Sequence, residues 1–294
     1  MPRNGNSVQI PRLISSRFMA LASLLLPLSS ASAVELARES FDYPAMLGQG
    51  LNGAAGGTGW SAPWVDDNAL PTLASTSLSL QYPTGVLLSP LGGRIEITAG
   101  ATNDPADRMF ATPMNLALSG QTYYSSALFR RSALTGELTS VLFDRVAGGV
   151  VSRWFYGIDT TGAFSVAVDP STPGQRATST FVAEPGVTYF VVSKFRTNTG
   201  FNGNDEVFLQ VYQEGDLIAE PLTDDAWDLR ANGNSGVMLE RVRLAMSNTA
   251  GQTNEFDELR VGTSFADVTG VPEPGSASLL LFGAALLARR RVRK

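Results

Sequence analysis

The feature that most limits how this chain can fold is a residue period of two, repeated in short runs with no helical period competing against it. Between Val34 and Gly270 no amphipathic helix of three turns is evident. Strand-like runs fall near Leu78–Tyr82, Gly93–Thr98, Arg108–Ala111, Thr122–Arg130, Leu138–Arg145 and Arg153–Asp159. More follow near Ala163–Asp169, Val187–Arg196, Glu206–Gln213, Val237–Met246 and Phe256–Gly262. Alternation is clearest at Phe164, Val166 and Val168, with Ala163, Ser165 and Ala167 between them. It recurs at Val207, Leu209 and Val211, and at Met238, Val242, Leu244 and Met246 with Glu240 as the exception. Asp159-Thr160-Thr161-Gly162 and Glu214-Gly215-Asp216 sit where hairpin turns belong. Many strands at roughly ten-residue spacing without helices predict an all-β, two-sheet antiparallel sandwich.

The chain has no cysteine and no histidine. No disulfide can brace the fold, which must rest on its core. A thiol nucleophile, a Ser-His-Asp triad and a His- or Cys-ligated zinc site are all excluded. Charge is distributed unevenly. Residues 34–270 hold 14 of the 22 cationic side chains and 26 of the 27 acidic ones, a net of −12. A field of that sign disfavours nucleic acid as a partner and is compatible with divalent cations.

Both ends read as targeting segments. Residues 1–33 have the form of a secretory signal peptide: Arg3, Arg12 and Arg17, an apolar stretch from Phe18 to Leu28, and a small-x-small site at Ala31 and Ala33. Val34 would then begin the mature protein; a retained N-terminal anchor is the alternative, against which the stretch is short and ends at Pro27. Residues 271–294 hold Pro272-Glu273-Pro274, an apolar run from Ser276 to Ala288, and a basic cluster of Arg289, Arg290, Arg291, Arg293 and Lys294. The run is about 13 residues where a spanning helix needs roughly 20, so it pauses in a bilayer better than it anchors. The basic cluster would hold its end on the cytoplasmic side, and the prolines keep the triplet extended.

That order of triplet, short apolar helix and terminal arginines resembles the PEP-CTERM sorting signal of Gram-negative, biofilm-forming bacteria. The resemblance implies an exosortase-type membrane processing enzyme as partner, transient residence in the inner membrane, and tail removal near the triplet. The body, residues 34–270, is similar to LamG-like, concanavalin-type jelly-roll domains. The similarity lies in Phe41-Asp42-Tyr43 leading to a glycine-rich loop that ends in Trp60 and Trp64. It lies also in Asp205 to Val211 after a Gly/Asn-rich loop, and in the closing Asn254 to Gly262.

The glycine-rich loop lacks the Lys-Ser/Thr pair and following helix of a phosphate cradle. Trp60 and Trp64 are expected to cap one end of the core, a ligand platform being the alternative. Glu255, Asp257 and Glu258 test the rival function, a glycoside hydrolase-like enzyme of the same fold. A period of two puts Glu255 and Asp257 on one face and Glu258 on the other. The expectation is therefore an acidic exposed edge on a closing strand, with Arg260 and Glu258 a weak surface pair. Asp66, Asp67, Asn202, Asn204 and Asp205 carry loop oxygens of the kind that suit Ca²⁺, though in no repeat-type spacing, and solvated turns are the simpler reading. No other cofactor is implied. The expected function is a non-catalytic surface or matrix protein associating with exopolysaccharide or other glycans. An ice-binding role is a further alternative, for which no regular Thr-x-Thr array is present.

Overall fold

The computed structural model describes residues 34–66, 72–73, 79–84, 88, 92–97, 104–136, 138–146, 151–198, 205–247 and 252–271. Among these, fifteen strands, one short α-helix and two 3-10 turns, Pro44–Met46 and Asp224–Ala226, are formed. The first strands are β1 (Glu35–Glu39), β2 (Val65–Asp66), β3 (Thr72–Leu73), β4 (Ile95–Ile97) and β5 (Asp104–Asn115). The middle of the chain forms β6 (Thr122–Arg131), β7 (Leu138–Arg145), β8 (Val151–Ile158), β9 (Ala163–Ala167) and β10 (Arg176–Val182). Then come β11 (Thr188–Arg196), β12 (Asp205–Tyr212), β13 (Leu229–Gly233), β14 (Met238–Ser247), β15 (Asn254–Gly262) and α1 (Phe265–Thr269).

The strands make two antiparallel sheets. The eight-stranded one runs β13-β12-β11-β6-β15-β4-β3, with β1 also paired to β15. The seven-stranded one runs β10-β9-β8-β7-β14-β5-β2. The expected all-β jelly-roll-type sandwich is thus what the chain forms.

The core between the sheets follows from alternation. Phe164, Val166 and Val168 point in from the seven-stranded sheet, and Tyr189, Val191 and Phe195 from the eight-stranded one. Trp154 is wholly buried, stacks 4.3 Å from Phe143, and donates its indole N–H to Ser193 Oγ across the sandwich at 2.8 Å. A second apolar cluster lies on the other face of the eight-stranded sheet. Phe190 and Val192 of β11 meet Leu80, Ile218, Trp227, Phe265 and Val268 there. Because β11 is buried on both faces, its sequence is a nearly continuous apolar run and not an alternating one.

Several strand expectations need correction. Residues 79–82 are not a strand, while β1, β2, β3, β10 and β13 went unforeseen. β10 is an edge strand whose residues are half-exposed or exposed, so no apolar alternation marks it. β5 is far longer than Arg108–Ala111, although it contains Pro105 and Pro113. Pro113 lies where the register with β14 shifts between Leu239 and Arg241, so no regular ladder bond is lost there.

Candidate functional site

The glycine-rich opening is built around one buried charge. Glu39, at the end of β1, accepts from Phe41 N at 2.8 Å, Tyr43 Oη at 2.6 Å and Trp64 Nε1 at 3.2 Å, and pairs with Arg108 of β5. Arg108 also donates to Ala62 O at 3.0 Å and Gly56 O at 2.8 Å. Its guanidinium lies 5.1 Å from the Trp60 ring centroid and 5.7 Å from that of Trp64. Trp64 is 1% exposed and so unavailable as a ligand platform; Trp60 is half-buried, stacked on Phe110 at 5.2 Å, and donates to Arg38 O. Trp64 belongs to the core between the sheets, and Trp60 packs against it. Glycine is required where the loop crosses β1: Gly59 has φ +80°, and a Cβ there would meet Leu36 O at 1.9 Å.

The acidic motif of β15 is not an exposed edge. β15 lies between β6 and β4, and all nine of its residues are buried. Glu255 pairs with Arg94 at 2.5 Å and with Arg130. Asp257 accepts from Ser79 Oγ at 2.7 Å, Leu80 N at 2.9 Å and Glu258 N at 2.8 Å. Burial raises the Asp257 carboxyl well above the usual range, and the neighbouring Glu258 raises it further. Glu258 bonds Tyr82 Oη and pairs with Arg260, each at 3.2 Å, and Arg260 is 3% exposed. The supposed surface pair is therefore a buried one. A bulge between Asp257 and Arg260, with Glu258 at φ 52°, explains the misreading. Phe256 and Leu259 both enter the core although three residues apart, so Glu258 shares the opposite face with Asp257 as well as with Arg260. Each carboxyl group is engaged within the fold, and none lines an open cleft as a nucleophile-acid pair must.

Of the loop oxygens considered for Ca²⁺, Asp67, Asn202 and Asn204 lie outside the described residues, and Asp66 is placed only by its backbone in β2. Asp205 is 4% exposed and accepts from Asn198 N at 3.1 Å, Ser235 N at 2.9 Å and Ser235 Oγ. Its oxygens tie the ends of β11 and β13 together. Beside it, Glu206 pairs with Arg196 and Arg230 and accepts from Asn198 Nδ2 at 3.0 Å. Burial alone would raise the Glu206 carboxyl, but these donors and cations pull it from 4.5 down to about 2. A carboxyl lowered on folding contributes stability that is present above its unfolded value and lost as pH falls toward the folded one. Glu206→Gln is accordingly expected to flatten the acid limb between those values, where the parent protein loses about 2–3 kcal/mol. Urea unfolding at about pH 3 and pH 6 checks it.

Two further charged groupings among the described residues are candidate sites. On the outer face of the seven-stranded sheet, Asp107 lies 2.6 Å from Arg241 and 2.7 Å from Arg243, and Asp144 lies 3.0 Å from Arg241. This ladder is internally neutralised. Near the β10 edge is a depression of ≈ 340 Å³ lined by Phe181, Val182, Tyr189, Asp216 and Asp228 among others. Phe181 is 43% exposed, and its ring lies 5.3 Å from that of Phe164. Burial raises the Asp228 carboxyl, which accepts from Val211 N and Gln210 Nε2. An aromatic face beside carboxylates suits a polyhydroxylated ligand: the ring meets C–H groups, and the oxygens accept from hydroxyls. Nothing in the sequence marks this site, because its residues come from three strands and the three loops that follow β10, follow β12 and precede β13.

Fold and tail together define an exported, cell-surface or extracellular β-sandwich protein carrying a C-terminal sorting signal. Residues 270–294 match the PEP-CTERM protein-sorting motif. The triplet, the apolar run, the basic cluster and the leader site at Ala31 and Ala33 lie outside the described residues; among those described, no helix is long and apolar enough to cross a membrane. No curated protein matches the sequence. Among solved structures, the chain is similar to an endo-β-1,4-glucuronan lyase from the fungus Trichoderma reesei, at 15% identity over 71% of this chain and 98% of that one, TM-score 0.39. It is similar to the globular domain of T. cruzi calreticulin, at 11% identity over 79% and 89%, TM-score 0.44. It is also similar to a conserved carbohydrate esterase from the Shiga toxin-encoding bacteriophage phi24B, at 12% identity over 79% and 99%, TM-score 0.45.

Proposed function

We propose that this protein is delivered by its tail through an exosortase-type enzyme to the cell surface or extracellular matrix, where its sandwich associates with glycans without catalysis. The observation that carries the delivery is the match of residues 270–294 to the sorting motif. The non-catalytic reading is supported by the engagement of Glu255, Asp257 and Glu258 inside the fold. Glycan association draws on the depression at Phe181, Asp216 and Asp228.

Affinity electrophoresis of the exported protein through gels containing neutral or anionic polysaccharides tests the association. Retardation by at least one polysaccharide is expected. Phe181→Ala should weaken it about fivefold to tenfold, the loss of roughly 1–1.4 kcal/mol of contact. Unchanged mobility in every gel would remove the glycan reading. Release of reducing sugar or unsaturated product from β-glucans or polyuronides would remove the non-catalytic one.

A further inference from the structure

The amino end of the body meets the turn before its last helix. Val34 N lies 3.1 Å from Asp267 Oδ2 and 3.2 Å from Thr263 Oγ1, and Thr263 N donates to Val34 O at 3.2 Å. As a peptide amide, Val34 N has one hydrogen to divide between two acceptors; as a free α-ammonium it has three. Asp267 is in place for such a cation. Its carboxylate also accepts from Thr263 N at 3.0 Å and Ser264 N at 2.9 Å, and Ser264 Oγ accepts from Asp267 N in the capping box of α1. Arg260, on the preceding strand β15, is engaged with Glu35 and Glu258.

We infer that Val34 is the mature N-terminus and that its α-ammonium forms an ion pair with Asp267. The step is hydrolysis of the Ala33–Val34 peptide bond by a leader-removing protease. Water supplies hydroxyl to the Ala33 carbonyl carbon and hydrogen to Val34 N, which takes up a proton at neutral pH. The pair ties β1 to α1. Val34 is 46% exposed, so the pair is partly screened and its effect modest. The inference needs export but not glycan binding.

Among the described residues, the charged group bonded to Val34 N is Asp267 from α1; Glu35, next along β1, is paired with Arg260. An ammonium held by a carboxylate titrates above its ordinary value of about 7.7–8.0. Its stabilisation is complete below that value and is lost as pH rises through the paired one. The chain has no histidine or cysteine to titrate in the same window.

The test uses protein exported from the full precursor. Terminal sequencing and intact mass should show Val34 first. Thermal melts should fall by about 2–4 °C between about pH 7 and pH 10. Carbamylating the α-amine with cyanate, with the site confirmed by peptide mass, should lower the melt at pH 7 by a similar amount and abolish that fall. Asp267→Asn should also lack the fall, though it starts lower because the cap is weakened. A mature terminus at any other residue overturns the inference. So do carbamylated and untreated proteins that melt alike across the range.

Discussion

Replacing Arg108 with alanine is expected to destabilise the body by about 3–5 kcal/mol, the largest single-residue loss named for this fold. Two losses combine. Glu39 is left as an uncompensated charge at 0% exposure, and the carbonyls of Gly56 and Ala62 lose their donor. The glycine-rich opening should loosen as well, because the same guanidinium fills the space against Trp60 and Trp64. Adding Glu39→Gln removes the orphaned charge and keeps an acceptor for Phe41 N, while its Nε2 can donate to Tyr43 Oη in place of the bond Oε2 accepted, so the double variant should recover part of the loss. Urea unfolding with tryptophan fluorescence measures both. An Arg108→Ala protein within 1 kcal/mol of the parent would mean that solvent already reaches Glu39.

Changing Pro272, Glu273 and Pro274 to alanine is expected to abolish tail processing, an all-or-none effect on the surface form. The motive lies in the segment's physical character. An apolar run of about 13 residues holds weakly in roughly 30 Å of hydrocarbon. On the proposed route the cations after it would fix its orientation, and the proline-containing triplet would be left outside for a protease to grip. Unprocessed protein should accumulate in the inner-membrane fraction. Neutralising Arg289, Arg290 and Arg291 should instead weaken retention there. Intact-mass analysis of surface-released parent protein decides the matter. A terminus near Val271 to Gly275 supports removal of the tail, whereas a species still ending at Lys294 makes the tail an anchor.

The export signal was legible in the sequence because its parts act by composition and order over contiguous residues; no other part of the chain need come near them. β7 was read at its observed bounds, Leu138–Arg145, and β9 to within two residues, because alternation is local and each faces the core on one side. β10 was lost for the opposite reason: an edge strand exposed on its outer side has no apolar period to show.

The charged motifs were where sequence reasoning failed. Glu255, Glu258 and Arg260 look like surface residues in any linear reading. They are buried because Arg94 arrives from the segment before β4 and Arg130 from β6, and because Tyr82 closes over Glu258 and Arg260, which a bulge puts on the same face as Asp257. Glu39 and Arg108 are 69 residues apart, and Val34 and Asp267 are 233 apart. A local pattern can say that a side chain is charged. Whether that charge is solvated, neutralised or left waiting for a partner depends on which distant strand the fold lays beside it, and only the tertiary structure decides that.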